Sequence, residues 1–113
     1  MNHIKKFEQE RDDLIKSNGK NKTLKSAAHN FLEESADVNY SYNFSWMGRP
    51  IIQYPQDMIA MQELIWKVKP DLIIETGIAH GGSLIFSASM LTLLETCGEI
   101  EKGEVLGIDI DIR

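Results

Sequence analysis

The fold of this chain is decided by residues 71–83, which read DLIIETGIAHGGS. The first half of this stretch is apolar from Leu72 to Ile74 and predicts a β-strand that ends at Glu75. The second half contains three glycines and leads into a long apolar helical pattern from Ser83. A strand, a glycine turn and a helix in this order bring backbone N–H groups towards a nucleotide-like ligand. We therefore predict the opening of an α/β ligand-binding domain.

A second apolar run follows the helix and ends on a carboxylate. We predict a strand from Glu104 to Asp109, parallel to the first strand. Ligands of open α/β sheets bind at the carboxyl ends of the strands, where an acid can hold ribose hydroxyls. Asp111 points to the same side by strand alternation. Asp109 is our candidate for the ribose, and Asp111 is the second choice.

These elements form one β-α-β unit that cannot bury its own apolar surface. The first strand is apolar throughout its centre, which is typical of parallel strands covered on both faces. The helix, from about Ser83 to Cys97, is apolar on nearly all sides. Two parallel strands also leave open sheet edges, which favour association. We predict the first unit of a doubly wound, Rossmann-like sheet, truncated after Arg113, and a chain that forms homo-oligomers.

The residues before this unit predict three helices and a loop. Residues 1–37 show two amphipathic helical patterns, and residues 38–54 alternate aromatic and polar side chains, which we interpret as an ordered loop. A third helix starts at Pro55 and ends before Lys69-Pro70. Its predicted buried face consists of Met58, Met61, Leu64, Ile65 and Val68. We divide the chain into an N-terminal helical segment, 1–37, and the start of a ligand-binding domain, 38–113.

Composition and charge exclude several classes of function. The 113 residues are 42% hydrophobic and 26% charged, which is ordinary for a globular protein. The net charge is −5, and the absence of a basic stripe argues against nucleic acid as a partner. No apolar run approaches the ~18 residues of a membrane span, and we expect no signal peptide. The single cysteine, Cys97, excludes an internal disulfide; we expect a buried thiol and a cytoplasmic protein.

The glycine spacing distinguishes two candidate ligands. A dinucleotide fingerprint needs G-x-G-x-x-G and an acid about 20 residues further on. Here the glycines fall as Gly77-x-x-x-Gly81-Gly82, and Asp109 lies 32 residues beyond Gly77. Glu75 disfavours a pyrophosphate but suits the ammonium of an amino acid. An NAD(P)-dependent oxidoreductase remains the alternative enzyme, and a non-catalytic fragment that binds a partner through aromatics and a sheet edge is the alternative of another class.

Other side chains near the turn have structural interpretations. A lone His80 without a paired carboxylate is more often a packing or hydrogen-bonding residue than a catalyst. Ser83 has no nearby base, and we expect it to cap the helix or to donate to a ligand. Trp46 and Tyr54 suit packing better than ligand stacking. No His/Cys cluster has zinc spacing, and the catalytic residues stay unassigned.

Four segments together resemble one enzyme family. They are WMGRPIIQYPQD at 46–57, Gln62-Glu63, KPDLIIETGIAHGGS at 69–83, and GIDIDIR at 107–113. From about Ser45 to Arg113 the chain resembles the cephalosporin hydroxylase family. That family is a branch of the class I S-adenosylmethionine-dependent methyltransferases and is similar to the rhamnosyl O-methyltransferases.

The resemblance implies a cofactor and a reaction. A doubly wound sheet would bind S-adenosylmethionine, whose methyl group goes to a hydroxyl of a small molecule or sugar. The cofactor loop of the family corresponds to Glu75, Gly77, Ala79, Gly81 and Ser83, and its ribose acid to Asp109. A divalent metal, Mg²⁺, is implied in a full-length form, on acidic residues after later strands. We therefore expect no metal ligands in this chain and no activity of residues 1–113 alone.

Overall fold

The computed structural model describes residues 2–111 as two compact units, one up to Val38 and one from Asn39 onward. The first unit consists of two helices, α1 (His3–Gly19) and α2 (Lys22–Asp37). Each helix starts after an asparagine whose side chain accepts a backbone N–H of the first turn, which satisfies a donor that has no partner inside the helix. The two predicted N-terminal helices are confirmed.

The second unit opens with a β-hairpin where the sequence predicts a loop. Strand β1 (Phe44–Trp46) pairs antiparallel with β2 (Arg49–Ile51). Met47 and Gly48 connect the two strands with φ angles of 48° and 83°, as in a type I′ turn, whose twist matches that of paired strands. The loop prediction is therefore wrong in its secondary structure. Phe44 and Trp46, at alternate positions, have the period of a strand and are half-buried on one face of β1, whereas Tyr40–Tyr42 form a single 3-10 turn before it.

Helix α3 (Pro55–Val68) has the predicted limits but not the predicted buried face. Ile65 is buried and Met58 is half-buried, whereas Leu64 and Val68 are 56% and 69% exposed. A stripe of five apolar positions needs neighbours along its whole width. The contact of α3 with α4 (Gly82–Thr96) covers the row that contains Ile65. The burial predicted for Met61, Leu64 and Val68 is wrong for this reason.

The predicted order of strand, turn, helix and strand is confirmed. Strand β3 (Leu72–Thr76) pairs parallel with β4 (Glu104–Ile108), so that Glu75 lies opposite Gly107. Along both strands the side chains alternate between half-buried and exposed. One face of the sheet packs against the core around α4, and the other face exposes about half of each apolar side chain, Leu72, Ile74, Leu106 and Ile108. Within the described residues α4 forms a layer on one face only, and the exposed apolar face agrees with the prediction that this unit cannot bury its own apolar surface.

Helix α4 holds the core together and ends in a Schellman motif. Leu91 and Leu94 form the core with Ile65 of α3. At the C-terminus, the N–H of Glu99 donates to the carbonyl of Leu94 at 2.9 Å, and Gly98 has a φ of 76°, the left-handed conformation that this motif requires. The neighbouring Cys97 is exposed. The prediction of a buried thiol is therefore wrong, because this residue lies at the end of the helix.

The α/β class is confirmed. The doubly wound sheet stays a prediction, since residues 2–111 contain one pair of parallel strands and a separate hairpin. Within the same range, none of the helices combines the length and the apolarity that crossing a bilayer requires.

Candidate functional site

The candidate site lies at the carboxyl ends of β3 and β4, where the chain leaves the sheet through the turn at 77–81. Parallel strands end at the same edge of a sheet, so Glu75 and Asp109 lie on either side of this turn. All six residues predicted for cofactor binding surround the turn: Glu75, Gly77, Ala79, Gly81, Ser83 and Asp109. The fold therefore brings the predicted set together.

A cavity of 230 Å³ opens between the turn and the hairpin. One side consists of Glu75, the turn and the start of α4. The opposite wall is the segment 50–53, which includes the last two residues of β2. This wall was missed by the sequence analysis, because those residues were assigned to a loop. The hairpin is thus part of the candidate site.

Glu75 carries an oxygen without a partner in this cavity wall. Its Oε1 accepts a hydrogen bond from the Ser83 hydroxyl at 2.5 Å. Its Oε2 is buried and has no hydrogen-bond partner. A buried carboxylate oxygen without a donor is unfavourable, and Glu75 lines the cavity, so an ammonium or N–H group of a ligand that reached Oε2 would supply the missing donor. The N-cap of α4 is Gly81; the alternative role predicted for Ser83, helix capping, is therefore wrong.

The turn itself has a strained conformation. The N–H of Gly81 donates to the carbonyl of Ile78 at 2.7 Å, which closes a four-residue turn. The first central residue of this turn, Ala79, has a φ of 47°. A non-glycine residue in the left-handed region costs about 1–2 kcal/mol, so contacts around the turn must offset this strain.

Asp109 supplies contacts of this kind from the end of β4. Its Oδ2 accepts from the N–H groups of Ile78 at 2.8 Å and Ala79 at 3.3 Å, and its Oδ1 accepts from the N–H of Asp111 at 3.1 Å. The N–H of Asp111 has the largest effect on the pKa of Asp109 and the N–H of Ile78 the next largest, and both lower it. Desolvation acts in the opposite direction and does not cancel the effect of the backbone donors. The carboxylate is therefore held in its charged form beside the turn.

The backbone N–H groups of the turn are largely used inside the protein. Besides those bound to Asp109, the N–H of Gly77 donates to the carbonyl of Ile108 at 2.8 Å. The prediction that the turn offers its N–H groups to a ligand is therefore wrong for Gly77, Ile78 and Ala79. For Ile78 and Ala79 the acceptor is the carboxylate of Asp109, and for Gly77 it is the carbonyl of Ile108.

The glycines of the turn meet different surroundings. At Gly77, no atom lies within 4 Å of the place where a Cβ would stand, so the backbone is open to a ligand. At Gly82, a Cβ would overlap the carbonyl of Pro50 and stand 2.7 Å from the Cβ of Ile51. Gly82 is therefore required by the packing of the hairpin on α4.

Arg49 of β2 is a polar contact that the sequence analysis missed. Its Nε donates to the backbone carbonyl of His80 at 3.0 Å. The hairpin is fixed to α4 next to this contact, since the indole N–H of Trp46 donates to the Ser89 hydroxyl at 3.0 Å and its ring packs edge-on against Phe86. The packing role predicted for Trp46 is confirmed.

A second, open cleft of 410 Å³ adjoins the turn on the side of β4. It is lined by Gly77, Ala79, Asp109, Ile110 and Asp111. Asp109 and Asp111 therefore line the same cleft. Among residues 2–111 there is no group of three or more His, Cys, Asp or Glu side chains placed to hold a metal ion.

Comparison with known proteins identifies the family. Residues 38–113 match the family described as rhamnosyl O-methyltransferase/CmcI. No curated protein and no solved structure matches the chain. The matched range covers more than half of the chain and contains the hairpin, α3 and the whole β3–α4–β4 segment with its turn. This protein belongs to the rhamnosyl O-methyltransferase/CmcI family, and the resemblance to cephalosporin hydroxylases is confirmed.

Proposed function

We propose that the protein is an S-adenosylmethionine-dependent O-methyltransferase acting on a hydroxyl of a small molecule or sugar. The family supplies the reaction class. The observation that supports cofactor binding most strongly is the buried Oε2 of Glu75, which lacks a donor in the wall of the 230 Å³ cavity. An α-ammonium group is a donor of the right charge for this oxygen.

The residues present fit the cofactor. Glu75 would hold the ammonium group of the methionine portion, and the open backbone at Gly77 lets a ligand approach closely. Asp109 would hold the ribose. Backbone N–H groups already occupy much of the acceptor capacity of the Asp109 carboxylate, so we expect it to accept from at most one ribose hydroxyl. S-adenosylmethionine, when bound, supplies an electrophilic methyl group on its sulfonium.

The contribution of these residues to the reaction is positioning. Methyl transfer needs the acceptor oxygen in line with the sulfonium methyl, and holding two reactants in that geometry accounts for much of a rate enhancement. The Ser83 hydroxyl orients the Glu75 carboxylate. Ile51 and Ile52 belong to the opposite wall of the cavity.

The same geometry disfavours a dinucleotide. A pyrophosphate binds to backbone N–H groups at a glycine turn, and here those of Gly77, Ile78 and Ala79 are bound inside the protein. The carboxylates of Glu75 and Asp109 beside the turn would also repel the negative charges of a pyrophosphate.

Isothermal titration tests this proposal. The protein should bind S-adenosylmethionine and S-adenosylhomocysteine, which share the amino acid and the ribose, and should not bind NAD. The matched control is Glu63→Gln, which removes an exposed carboxylate on α3. It should leave the affinities for S-adenosylmethionine and S-adenosylhomocysteine unchanged. Binding of NAD without binding of either methionine-derived ligand would refute the proposal.

A further inference from the structure

We infer that Arg49 is a positioning residue that, together with Asp109, holds the strained turn Ile78–Gly81 in its ligand-binding shape. The two side chains come from different elements and act on opposite polar groups of the turn. The predicted change in affinity for S-adenosylmethionine rests on the proposed function. The hydrogen bonds of Arg49 and Asp109 to the turn do not depend on it.

The turn needs support because an alanine occupies a position that favours glycine. The hydrogen bond from Gly81 to Ile78 makes Ala79 the first central residue of the turn, and its φ is 47°. A positive φ at this position is found in type I′ and type II′ turns, where glycine, which has no Cβ, is favoured together with Asn and Asp. An alanine persists there only when the surrounding structure holds it.

Asp109 supports one side of the turn and Arg49 supports the other. Asp109 accepts the N–H groups of Ile78 and Ala79, whereas the Nε of Arg49 donates to the carbonyl of His80 at 3.0 Å. The Nη2 of Arg49 also lies 3.4 Å from the place where a Cβ of Gly81 would stand, so the guanidinium covers the end of the turn. A hydrogen bond from a charged donor is stronger than a neutral one.

The hairpin gives Arg49 a rigid base. Next to it, the carbonyl of Pro50 packs directly on Gly82, and Ile51 is buried. Trp46, at the other end of the turn that joins β1 and β2, is bonded to Ser89 of α4. Arg49 forms no ion pair within residues 2–111, so no carboxylate there competes for its guanidinium. The hairpin therefore sets the place of the His80 carbonyl relative to α4.

Amide hydrogen exchange of a peptide that covers residues 76–84 tests the inference without a ligand. In Arg49→Met, exchange of the turn amides should accelerate about tenfold, which corresponds to the low end of the range for a charge-assisted hydrogen bond because Arg49 is exposed. The affinity for S-adenosylmethionine should fall by a similar factor. Adding Ala79→Gly to Arg49→Met should restore slow exchange and most of the affinity, since glycine takes the positive φ without strain.

Two controls separate this role from general effects. His80→Ala keeps the backbone carbonyl and should leave exchange of the turn amides unchanged. Arg11→Met removes a positive charge from α1, in the other compact unit, and should also have no effect on exchange. Arg49 is exposed, so we expect the far-ultraviolet circular dichroism of Arg49→Met to match that of the wild type.

The outcomes distinguish this inference from the proposed function. Unchanged exchange in Arg49→Met would overturn the inference. A loss of affinity without faster exchange would overturn it as well, because Arg49 would then contact the ligand directly. Faster exchange that Ala79→Gly reverses, in a protein that binds no S-adenosylmethionine at all, would support the inference and refute the proposed function.

Discussion

Replacing Glu75 by glutamine should stabilise the free protein and weaken cofactor binding, two effects of opposite sign. The reason is the buried Oε2, which has no donor in the protein. A cofactor ammonium would supply that donor, and in its absence the carboxylate oxygen is desolvated without compensation. Glutamine has nearly the same shape, carries no charge and keeps an oxygen for the Ser83 hydroxyl that binds Oε1.

The magnitudes follow from this geometry. An unsatisfied buried polar group costs about 1–3 kcal/mol, and glutamine removes only part of this cost because its amide group takes the same place. We therefore expect the free energy of unfolding to rise by about 1 kcal/mol, which raises Tm by about 4–8 °C for a unit of this size. The loss of a hydrogen bond between charged groups, about 1.5–3 kcal/mol, should weaken binding of S-adenosylmethionine by roughly ten- to a hundredfold.

Thermal unfolding followed by circular dichroism and isothermal titration, in one buffer, measure the two effects. Glu63→Gln is the matched control, because Glu63 is exposed on α3 and does not line the cavity. Its effect on stability should stay within about 0.5 kcal/mol. A Glu75→Gln protein that is less stable than the wild type and binds S-adenosylmethionine equally well would refute the reasoning.

Three further predictions concern the turn and its neighbours. Gly82→Ala should destabilise the protein by about 1–3 kcal/mol in denaturant unfolding, because the added Cβ overlaps the backbone at Pro50; an unchanged midpoint would contradict the packing of the hairpin. Asp109→Ala should weaken S-adenosylmethionine binding roughly tenfold and more than Asp111→Ala in parallel titrations, and the reverse order would mean that Asp111 holds the ribose. Backbone N–H groups, that of Asp111 first, lower the pKa of Asp109 in the folded protein. The support that the ionised Asp109 carboxylate gives to the turn should therefore be complete above the ordinary pKa of 3.8 and lost as the pH falls below this value. The amide shift of Ala79, followed from neutral to acid pH, should therefore change below 3.8, and an inflection above this value would contradict the prediction.

The elements of the fold were predictable where the signal was local. The apolar run before Gly77, the glycine turn and the apolar helix from Gly82 are contiguous patterns, and each gave an element with limits close to those observed. The hairpin was missed because its strands are three residues long and its turn residues, Met47 and Gly48, do not form one of the usual Asn-Gly or Asp-Gly pairs.

Burial was less predictable because it depends on neighbours. The apolar stripe of α3 is real, but whether Leu64 or Val68 is covered depends on what packs against it. Likewise, the uninterrupted apolar run of β3 does not determine how many layers cover the strand. Such faces are fixed by tertiary contacts that no local pattern contains.

The carboxylates of the site were predictable from the sequence, and the contact of Arg49 was not. Glu75 and Asp109 were found because the ends of parallel strands meet at one edge of a sheet. The contact of Arg49 joins a side chain to a main-chain carbonyl 31 residues away, and a carbonyl of any residue type accepts equally well. No residue type at position 80 could have indicated it. Phe44 and Trp46, at alternate positions before Met47, were the available signal for β1, which pairs with the strand that carries Arg49.

The measurement that tests the central claim most directly is a titration of the labelled protein with S-adenosylmethionine, followed through the amide chemical shifts of each residue. Glu75, the turn and Asp109 form the binding site in this account. The amides of Gly77, Ala79 and Gly81 should therefore shift with one common dissociation constant, and those of α1 and α2 should not. Binding that shifts other amides and leaves these three unchanged, or no shift at all, would contradict the account.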